Sequence, residues 1–510
     1  MTTPTPSSAL LAAAFEAEAR RLHRQFRTPG VSLALLLPDG DYHVNLGVTS
    51  LENPLPVTEE TIFQIGSTTK TLTSLVCSTL VAEGKLDLDA PVRQYLPDFK
   101  LKDEAAASGA TVRDLLTHQG GWLGDLFEDT GEGDDAVARG LDKLAEAPQI
   151  VPLRGHWSYN NAGFFVAGRI IEVVTGQTFE QAVTERVFTP LGMNQSFFFP
   201  NQIMTYRFAV GHNKVGENFK PQRPWMMMRS AAPAGSTCSS TTVDMAKYAH
   251  YIMDGTMNPL PRPKETTLEN ARPDAGEAAE QPETPAEPPL KQVDRQSLWA
   301  TRIPIGDALN GFPGERGQLG QSWFVDEYAG ATILSHGGTT IGHQSDFWVS
   351  PDRRVGFISM TNGSNGHAFN RQLSEWVKRT VLGLSAPELG SHAHDEAGLA
   401  DFTGAYDVVG QPYQLNVTAR DGDAVLSMPD PEAGGTRDLH LRFIAAERAV
   451  IQGGDYAGLG VEFLRNPEGV VDFMRFGVRL YPRQMGGEAS TPEEVEATES
   501  ATDPETVTQV

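Results

Sequence analysis

A five-residue stretch, Gly-Ser-Thr-Thr-Lys at positions 66–70, restricts the possible folds of this chain more than any other segment. It stands between a short segment, 63–65, which is typical of a strand end, and a segment, 69–83, in which apolar residues recur at helical spacing. Residues three apart in the first turn of a helix lie on one face, so the Ser67 hydroxyl and the Lys70 amine are predicted neighbours. The strand-to-helix turn therefore brings a serine, which can act as a nucleophile, next to a lysine, which can act as a base.

Spacing alone does not separate a catalytic pair from an ordinary helix start. Ser-x-x-Lys is a common pattern, and an exposed serine that caps a helix beside a solvated lysine would give the same residues. In the functional interpretation, Lys70 is held out of water and accepts the Ser67 proton, so that the oxygen can attack a carbonyl group. Partial positive charge at the helix N-terminus would favour negative charge on Ser67.

A second motif, Tyr159-Asn160-Asn161, precedes a helical pattern at 163–174. Tyr159 and Asn161 are two apart in a predicted loop, so both side chains can point into one cleft. A tyrosine that shares a proton with Lys70 could relay the serine proton to a leaving group. The alternative is structural: Tyr159 packs in the core and Asn161 caps the next helix.

A third motif, His336-Gly337-Gly338-Thr339, directly follows an apolar strand pattern at 331–335. Small residues at a strand edge let a substrate backbone come close enough for hydrogen bonds. The Thr339 N–H could then pair with the Ser67 N–H as an oxyanion hole. The alternative is an ordinary glycine-rich strand end with a hydrogen-bonded structural His336.

Strand patterns at both ends of the first 390 residues enclose a helical middle. The predicted strands are 31–37, 42–49, 331–335, 345–349 and 355–360. The predicted helices include 112–116, 163–174 and 243–253. This order predicts an α+β domain over residues 1–390, whose antiparallel sheet is closed by N- and C-terminal strands.

Composition divides the rest of the chain. A Pro- and Glu-rich segment, 259–290, predicts a mobile insertion, and the acidic segment 486–510 predicts a disordered tail. After a linker at 390–396, short strand patterns with turn signals, the last of them at 470–478, predict a small β-barrel domain over 398–485. Because all three motifs precede the linker, we expect the first domain alone to be competent for acylation.

Charge and cysteine content exclude several classes of function. The net charge of −24 argues against a nucleic-acid partner, since phosphate binding needs clustered Lys and Arg. Two cysteines cannot make a disulfide framework. The sequence lacks a signal-peptide pattern and any run near the ~20 apolar residues that span a membrane, so we expect a cytoplasmic location and no membrane partner. The His-Ala-His-Asp-Glu run at 392–396 lies in the predicted linker, and we expect no metal and no other cofactor.

Together, and in this order, the three motifs resemble those of the serine β-lactamase and penicillin-recognising superfamily. The resemblance covers roughly residues 10–385 and is strongest to the branch that holds class C β-lactamases, D-alanyl-D-alanine carboxypeptidases, D-aminopeptidases and related esterases. It implies a β-lactamase-like domain, in which helices flank an antiparallel sheet beside an all-helical part. The C-terminal unit is similar to the lipocalin-like domain of some members that cleave D-peptides.

The same resemblance implies a role for each motif residue. Ser67 is the nucleophile that becomes acylated, and Lys70 and Tyr159 handle the protons. Asn161 contacts the substrate amide, while His336 and Gly338 flank the pocket.

His336 stands where typical β-lactamases of this superfamily carry lysine. Imidazole, with a free pKa of ~6.5, is largely neutral at pH 7 and would become charged near pH 6, so it is a weaker partner for a carboxylate. We therefore expect a serine hydrolase for esters or amides, with small molecules or short peptides that contain D-amino acids as substrates. The alternatives are a β-lactamase and, from another class, a non-catalytic binding module on the same fold. The C-terminal β-domain is also a candidate surface for homo-oligomer formation.

Overall fold

The computed structural model describes residues 7–257, 288–307, 316–328, 330–384, 389–420, 422–430, 434–454 and 456–484. The predicted tail, 486–510, and most of the predicted insertion, 259–290, lie outside the described residues. The last residues of that segment are described and belong to the folded domain. Leu290 is buried, and its carbonyl accepts a 2.8 Å hydrogen bond from the Tyr251 hydroxyl.

The strands of the larger domain are β1 Gly30–Leu37, β2 Gly40–Gly47, β3 Phe63–Gln64, β4 His212–Val215, β5 Asn218–Pro221, β6 Ser239–Ser240, β7 Ile303–Asp307, β8 Arg316–Leu319, β9 Phe324–Tyr328, β10 Ala331–Thr339, β11 Gln344–Ser350 and β12 Val355–Thr361. Eight of them form one antiparallel sheet in the order β2-β1-β12-β11-β10-β9-β8-β7. Strand β1 pairs with β12 as well as with β2. The prediction that N- and C-terminal strands close the sheet is confirmed.

The α-helices are α1 Ser8–Phe26, α2 Thr69–Ala82, α3 Glu104–Gly109, α4 Val112–Leu116, α5 Ala136–Asp142, α6 Asn161–Thr175, α7 Phe179–Val183, α8 Thr189–Leu191, α9 Pro200–Ile203, α10 Thr242–Asp254, α11 Ser297–Ala300, α12 Gly366–Thr380 and α13 Glu396–Ala400. Short 3-10 helices include Gly66–Thr68 and Arg229–Ala234. None of the helices in the described ranges is long and apolar enough to cross a membrane.

Both faces of the central sheet are covered, which explains why β1 is buried along its whole length. Leu33 and Leu35 pack on one face, in a core shared with helices α1 and α12. Ala34 and Leu36 pack on the other face, in a larger core that includes α2, α6 and α10. Successive residues of a strand point to opposite sides, so each helical layer takes alternate residues of the same strand.

A second antiparallel sheet forms the C-terminal part. Its strands are β13 Gly404–Asp407, β14 Gln414–Arg420, β15 Asp423–Pro429, β16 Thr436–Ala445, β17 Arg448–Gln452, β18 Gly460–Arg465, β19 Val471–Phe476 and β20 Arg479–Pro482. Each strand pairs with the next along the chain, and a bridge between Tyr406 and Arg483 brings the first strand to the last. This nearly closed up-and-down barrel confirms the predicted small all-β domain.

The sequence pattern missed one turn of this barrel. Residues 470–478 were predicted as one strand, but the structure has β19 and β20 with a two-residue turn at Gly477 and Val478. Both turn residues have positive φ, 57° and 66°. Val does not favour such a conformation, so Gly477 alone was too weak a signal for a turn to be predicted at this position.

Candidate active site

The pair Ser67 and Lys70 lies at the junction of a 3-10 turn, Gly66–Thr68, and helix α2. Lys70 is fully buried, and its Nζ atom donates hydrogen bonds to Ser67 Oγ at 3.0 Å and to the Ala234 carbonyl at 2.7 Å. The alternative of a solvated lysine at an ordinary helix start is therefore wrong. The amine is held against the serine from one side and against the 3-10 helix Arg229–Ala234 from the other.

The surroundings of Lys70 favour its neutral form. Burial is the main cause that lowers its pKa well below the ordinary value, and the positive charge of Arg479 lowers the pKa further. The carboxylate of Asp125 acts in the opposite direction. Aromatic rings of Tyr159 and Phe164 lie 4.9 Å and 5.4 Å from Nζ. A neutral amine next to a hydroxyl can accept its proton, whereas an ammonium cannot.

Tyr159 is 8% exposed and stands between two histidines and the C-terminal barrel. Its ring stacks on His118 with centroids 4.3 Å apart, and the ring of His336 is 6.1 Å away. Its backbone N–H donates a 2.9 Å hydrogen bond to the Val478 carbonyl. Burial raises the pKa of the phenol above its ordinary value, and the Ser67 hydroxyl and Arg479 offset only part of that rise. The phenol is therefore protonated at neutral pH.

The two asparagines after Tyr159 have different structural roles, which the sequence alone did not assign. Asn160 caps helix α6, because its side chain accepts a 2.7 Å hydrogen bond from the Gly163 N–H. Asn161 is the first residue of α6 rather than part of a loop, and its Nδ2 donates a 2.6 Å hydrogen bond to Asp125 Oδ1. The structural alternative is therefore wrong in making Asn161 the cap, whereas Tyr159 does pack in a buried cluster, as that alternative stated.

Asp125 and Arg479 form an ion pair that the sequence did not predict. Arg479 Nε and Nη2 donate to the two carboxylate oxygens at 2.5 Å and 3.2 Å. Burial alone would raise the pKa of Asp125, but the Arg479 charge and the hydrogen bonds from Arg479 and Asn161 hold it below its ordinary value. The Asp125 carboxylate is thus charged and binds one residue of each domain, Asn161 of the first domain and Arg479 of the barrel.

The third motif lies inside β10 and not after a strand. Strand β9 pairs only with Ala331–Ser335 of β10, so the described pairing leaves residues 336–339 open on that edge. A Cβ on Gly338 would lie 2.0 Å from the Ile65 carbonyl oxygen and 2.8 Å from the Ser67 nitrogen. A Cβ on Gly66 would lie 2.6 Å from the Thr339 nitrogen. The backbones of the two motifs, which carry the Ser67 and Thr339 N–H groups proposed for an oxyanion hole, are thus in contact.

His336 is buried and neutral. Its Nδ1 donates a 2.6 Å hydrogen bond to the Gly337 carbonyl oxygen, which places the proton on that nitrogen and leaves Nε2 as an acceptor. Burial, followed by the charge of Lys70, lowers the pKa of His336 to about 3. The expectation that this imidazole becomes charged near pH 6 is therefore wrong, because it assumed an exposed ring.

The C-terminal barrel reaches the site, where its residues contact the second motif. In addition to the Tyr159–Val478 hydrogen bond, the Leu480 N–H donates to Ser158 Oγ at 3.2 Å. The guanidinium of Arg479 lies 5.3 Å from the Tyr159 ring centroid. Asp125 follows a glycine-rich stretch, Gly-Gly-Trp-Leu-Gly, which marked a loop. Arg479 had no local signal, because its importance depends on a contact between distant parts of the chain.

The predicted linker packs on the barrel. The His394 ring lies 4.5 Å from that of Phe443 and 5.1 Å from that of Phe402, between centroids. Over the described ranges, no group of three or more His, Cys, Asp or Glu side chains is arranged to hold a metal ion.

Comparison with known proteins gives a consistent picture. The family model described as Beta-lactamase matches residues 15–381. Penicillin-binding protein 4 of Amycolatopsis lactamdurans is 30% identical over 371 residues, which are 72% of this chain and 90% of that protein.

Solved structures extend the likeness in fold. The structure of SurE with D-Leu has a TM-score of 0.67 at 22% identity and covers 93% of this chain and 99% of its own. The D-amino acid amidase of Ochrobactrum anthropi SV3, complexed with L-phenylalanine amide, has a TM-score of 0.55 at 22% identity. That likeness covers 73% of this chain and 98% of the amidase chain.

Proposed function

The chain belongs to the β-lactamase family, and on that premise we propose that it hydrolyses esters or amides through an acyl-enzyme formed on Ser67. The observation that carries the proposal is the 3.0 Å contact between Lys70 Nζ and Ser67 Oγ, with the amine fully buried. A lysine with a lowered pKa supplies the base that a serine hydroxyl needs at neutral pH.

In the proposed acylation step, neutral Lys70 takes the Ser67 proton while Ser67 Oγ bonds to the carbonyl carbon of the substrate. The N–H groups of Ser67 and Thr339 stabilise the resulting oxyanion. The bond to the leaving group then breaks, and the proton passes from Lys70 to the departing nitrogen or oxygen through the Tyr159 hydroxyl. Attack of water on the ester of Ser67 reverses these proton transfers and releases the acid.

We propose acyl groups that carry no free carboxylate, in particular those of D-amino acids, as the substrate class. His336 offers a hydrogen-bond acceptor without charge, and the fixed cation near Tyr159, Arg479, is already paired with Asp125. Neither group gives strong attraction for a free carboxylate such as that of a β-lactam. The structural relatives that were solved with D-Leu, or that are described as a D-amino acid amidase, support the choice of D-residues.

The test is covalent labelling of the full chain with a fluorophosphonate, followed by peptide mass spectrometry to locate the adduct. We expect the adduct on Ser67, no labelling of the Ser67→Ala variant, and normal labelling of Ser108→Ala, which changes an exposed serine of α3. The same preparation is assayed with p-nitrophenyl esters, D- and L-aminoacyl p-nitroanilides and nitrocefin. An active Ser67→Ala variant would contradict the acyl-enzyme, and absence of any turnover and labelling would favour the binding-module alternative.

Homo-oligomer formation through the C-terminal domain is a further part of the proposal. A structural relative, the penicillin-binding protein homologue from Pyrococcus abyssi, is described as octameric. Light scattering coupled to size-exclusion chromatography would measure the mass of this protein in solution.

A further inference from the structure

Through the turn between β19 and β20, the C-terminal barrel contacts the active site. Arg479 is the first residue of β20, directly after the two-residue turn, and its side chain is 25% exposed. It meets the Asp125 carboxylate through two nitrogens, with the guanidinium 5.3 Å from the Tyr159 ring centroid.

We propose that Arg479 is a positioning residue for the reaction at Ser67, acting from the C-terminal barrel through Asp125 on Asn161 and Lys70. The proposal rests on the proposed function, because it concerns how the residues assigned to acylation are held and charged.

The first part of the argument is geometric. Asp125 Oδ1 accepts from Asn161 Nδ2 at 2.6 Å and from Arg479 Nη2 at 3.2 Å, so one carboxylate oxygen joins the barrel to the second motif. The neighbouring Val478 accepts the Tyr159 N–H, which fixes the backbone of the same motif. Asn161 and Tyr159 are therefore held by two consecutive residues of the barrel, one through a backbone carbonyl and one through an ion pair.

The conformation of Val478 supports a functional reason for this contact. A β-branched residue at φ 66° is strained, and such strain persists where the surroundings require it, often at functional sites. Here the strained residue presents its carbonyl oxygen to Tyr159 and places Arg479 beside Asp125. A turn of glycine or asparagine would form more easily, so stability of the hairpin does not explain the valine.

The second part of the argument is electrostatic. The titratable or charged groups that surround Lys70 are Tyr159 and His118 beside α6, His336 on β10, and the pair Asp125 and Arg479. Burial lowers the pKa values of both histidines far enough to keep them neutral, and burial raises that of Tyr159. Asp125 and Arg479 are therefore the two charged neighbours that act on Lys70, and they act in opposite directions.

Because Asp125 and Arg479 carry opposite charges, their removal should shift the Lys70 pKa in opposite directions. A purely structural role of the pair would not produce opposite shifts. Arg479→Gln removes the cation and leaves Asp125 uncompensated, so the Lys70 pKa should rise. Asp125→Asn removes the anion and leaves Arg479 uncompensated, so the pKa should fall. Because the neutral amine is the active form, the acidic limb of the rate profile should move to higher pH in Arg479→Gln and to lower pH in Asp125→Asn.

The experiment measures the second-order rate constant for fluorophosphonate labelling of Ser67 against pH, using the full chain. We expect limb shifts of about one pH unit in the two opposite directions, the size typical for one charged neighbour. The matched control is Arg420→Gln, which breaks an exposed ion pair with Asp438 on the same barrel and should leave the limb unchanged. Thermal melting of each variant establishes that it is folded.

The proposal is overturned if both single variants fold and the acidic limbs of their rate profiles stay in place or move in the same direction. Where a single variant does not fold, the double variant Asp125→Asn/Arg479→Gln decides, since it removes the pair together. The acidic limb of its rate profile should lie close to that of the wild type. A shift of that limb by a full pH unit would contradict the argument that the two charges oppose each other. Absence of labelling at Ser67 in the wild type would instead reject the proposed function itself.

Discussion

The backbone N–H of Tyr159 donates a 2.9 Å hydrogen bond to the carbonyl oxygen of Val478, and this contact joins the two folded parts of the chain at the site. Tyr159 belongs to a motif that is recognisable in the sequence, whereas Val478 lies in a barrel turn that the sequence did not indicate. The site is therefore assembled from the family domain and from the sheet that follows it.

Lys70→Ala and Tyr159→Phe should each lower kcat by ~10²–10⁴-fold, with a much smaller change in KM. Both groups act on protons in flight, so their loss raises the transition state more than it weakens substrate binding. Steady-state kinetics with a p-nitrophenyl ester measure both constants. Lys102→Ala and Tyr206→Phe, at exposed positions, are the controls. A raised KM with unchanged kcat would mean that the two residues only shape the pocket.

Gly338→Ala should reduce labelling of Ser67 by about 100-fold or more. The new Cβ would lie 2.0 Å from the Ile65 carbonyl oxygen, so the Ser67 turn and β10 must separate. Separation disrupts the two N–H groups proposed for the oxyanion hole, each typically worth ~10²–10³ in rate. Gly337→Ala is the matched control, because its Cβ would meet only the Ser345 carbonyl oxygen, at 3.3 Å. Equal labelling of both variants would count against this oxyanion hole.

The charge of His336 should not change between about pH 5 and pH 8, because burial lowers its pKa to about 3 and the ring is neutral above that value. His336→Gln should therefore leave both limbs of the pH profile in place. A wild type that hydrolyses nitrocefin faster than every ester and D-aminoacyl substrate would reverse the proposed substrate preference.

A chain that ends at Leu384 should be labelled at Ser67 far more slowly than the full chain, by about tenfold or more. Truncation removes the acceptor for the Tyr159 N–H and the partner of Asp125, and it uncovers Trp157, which Arg475 covers at 5.0 Å. A chain that ends at Gln484 keeps every described contact of the site and serves as the control. Full labelling of the shorter chain would instead bear out the expectation that the first domain alone is competent for acylation.

Local patterns predicted the elements that depend on local forces. Helix α4 has the bounds that apolar spacing indicated, and the Ser67–Lys70 contact follows from residues three apart in one turn. The paired chain ends were also predictable, because β1 and β12 are apolar on both faces and need a central place in the sheet.

The wrong predictions share one physical origin. Each concerns a conformation, a burial or a contact that tertiary packing sets and that local sequence patterns do not report. The glycines of the third motif continue β10 because pairing with β11 holds them. His336 has a low pKa because the fold buries it, and no sequence pattern reports that burial. Gly477 and Val478 form a turn although valine disfavours it, and Arg479 gains its role only because that turn meets Asp125.

The hairpin at residues 477–478 also limits how the active site could be widened. A turn of two residues has no slack, so it cannot fold away from Tyr159 without moving β19 and β20, which are paired strands of the barrel. Room for a bulkier acyl group on this side thus requires the barrel to tilt as a rigid body or the turn to be rebuilt. Attempts to broaden the substrate range by directed evolution should accordingly find their gains in the surface between the two domains.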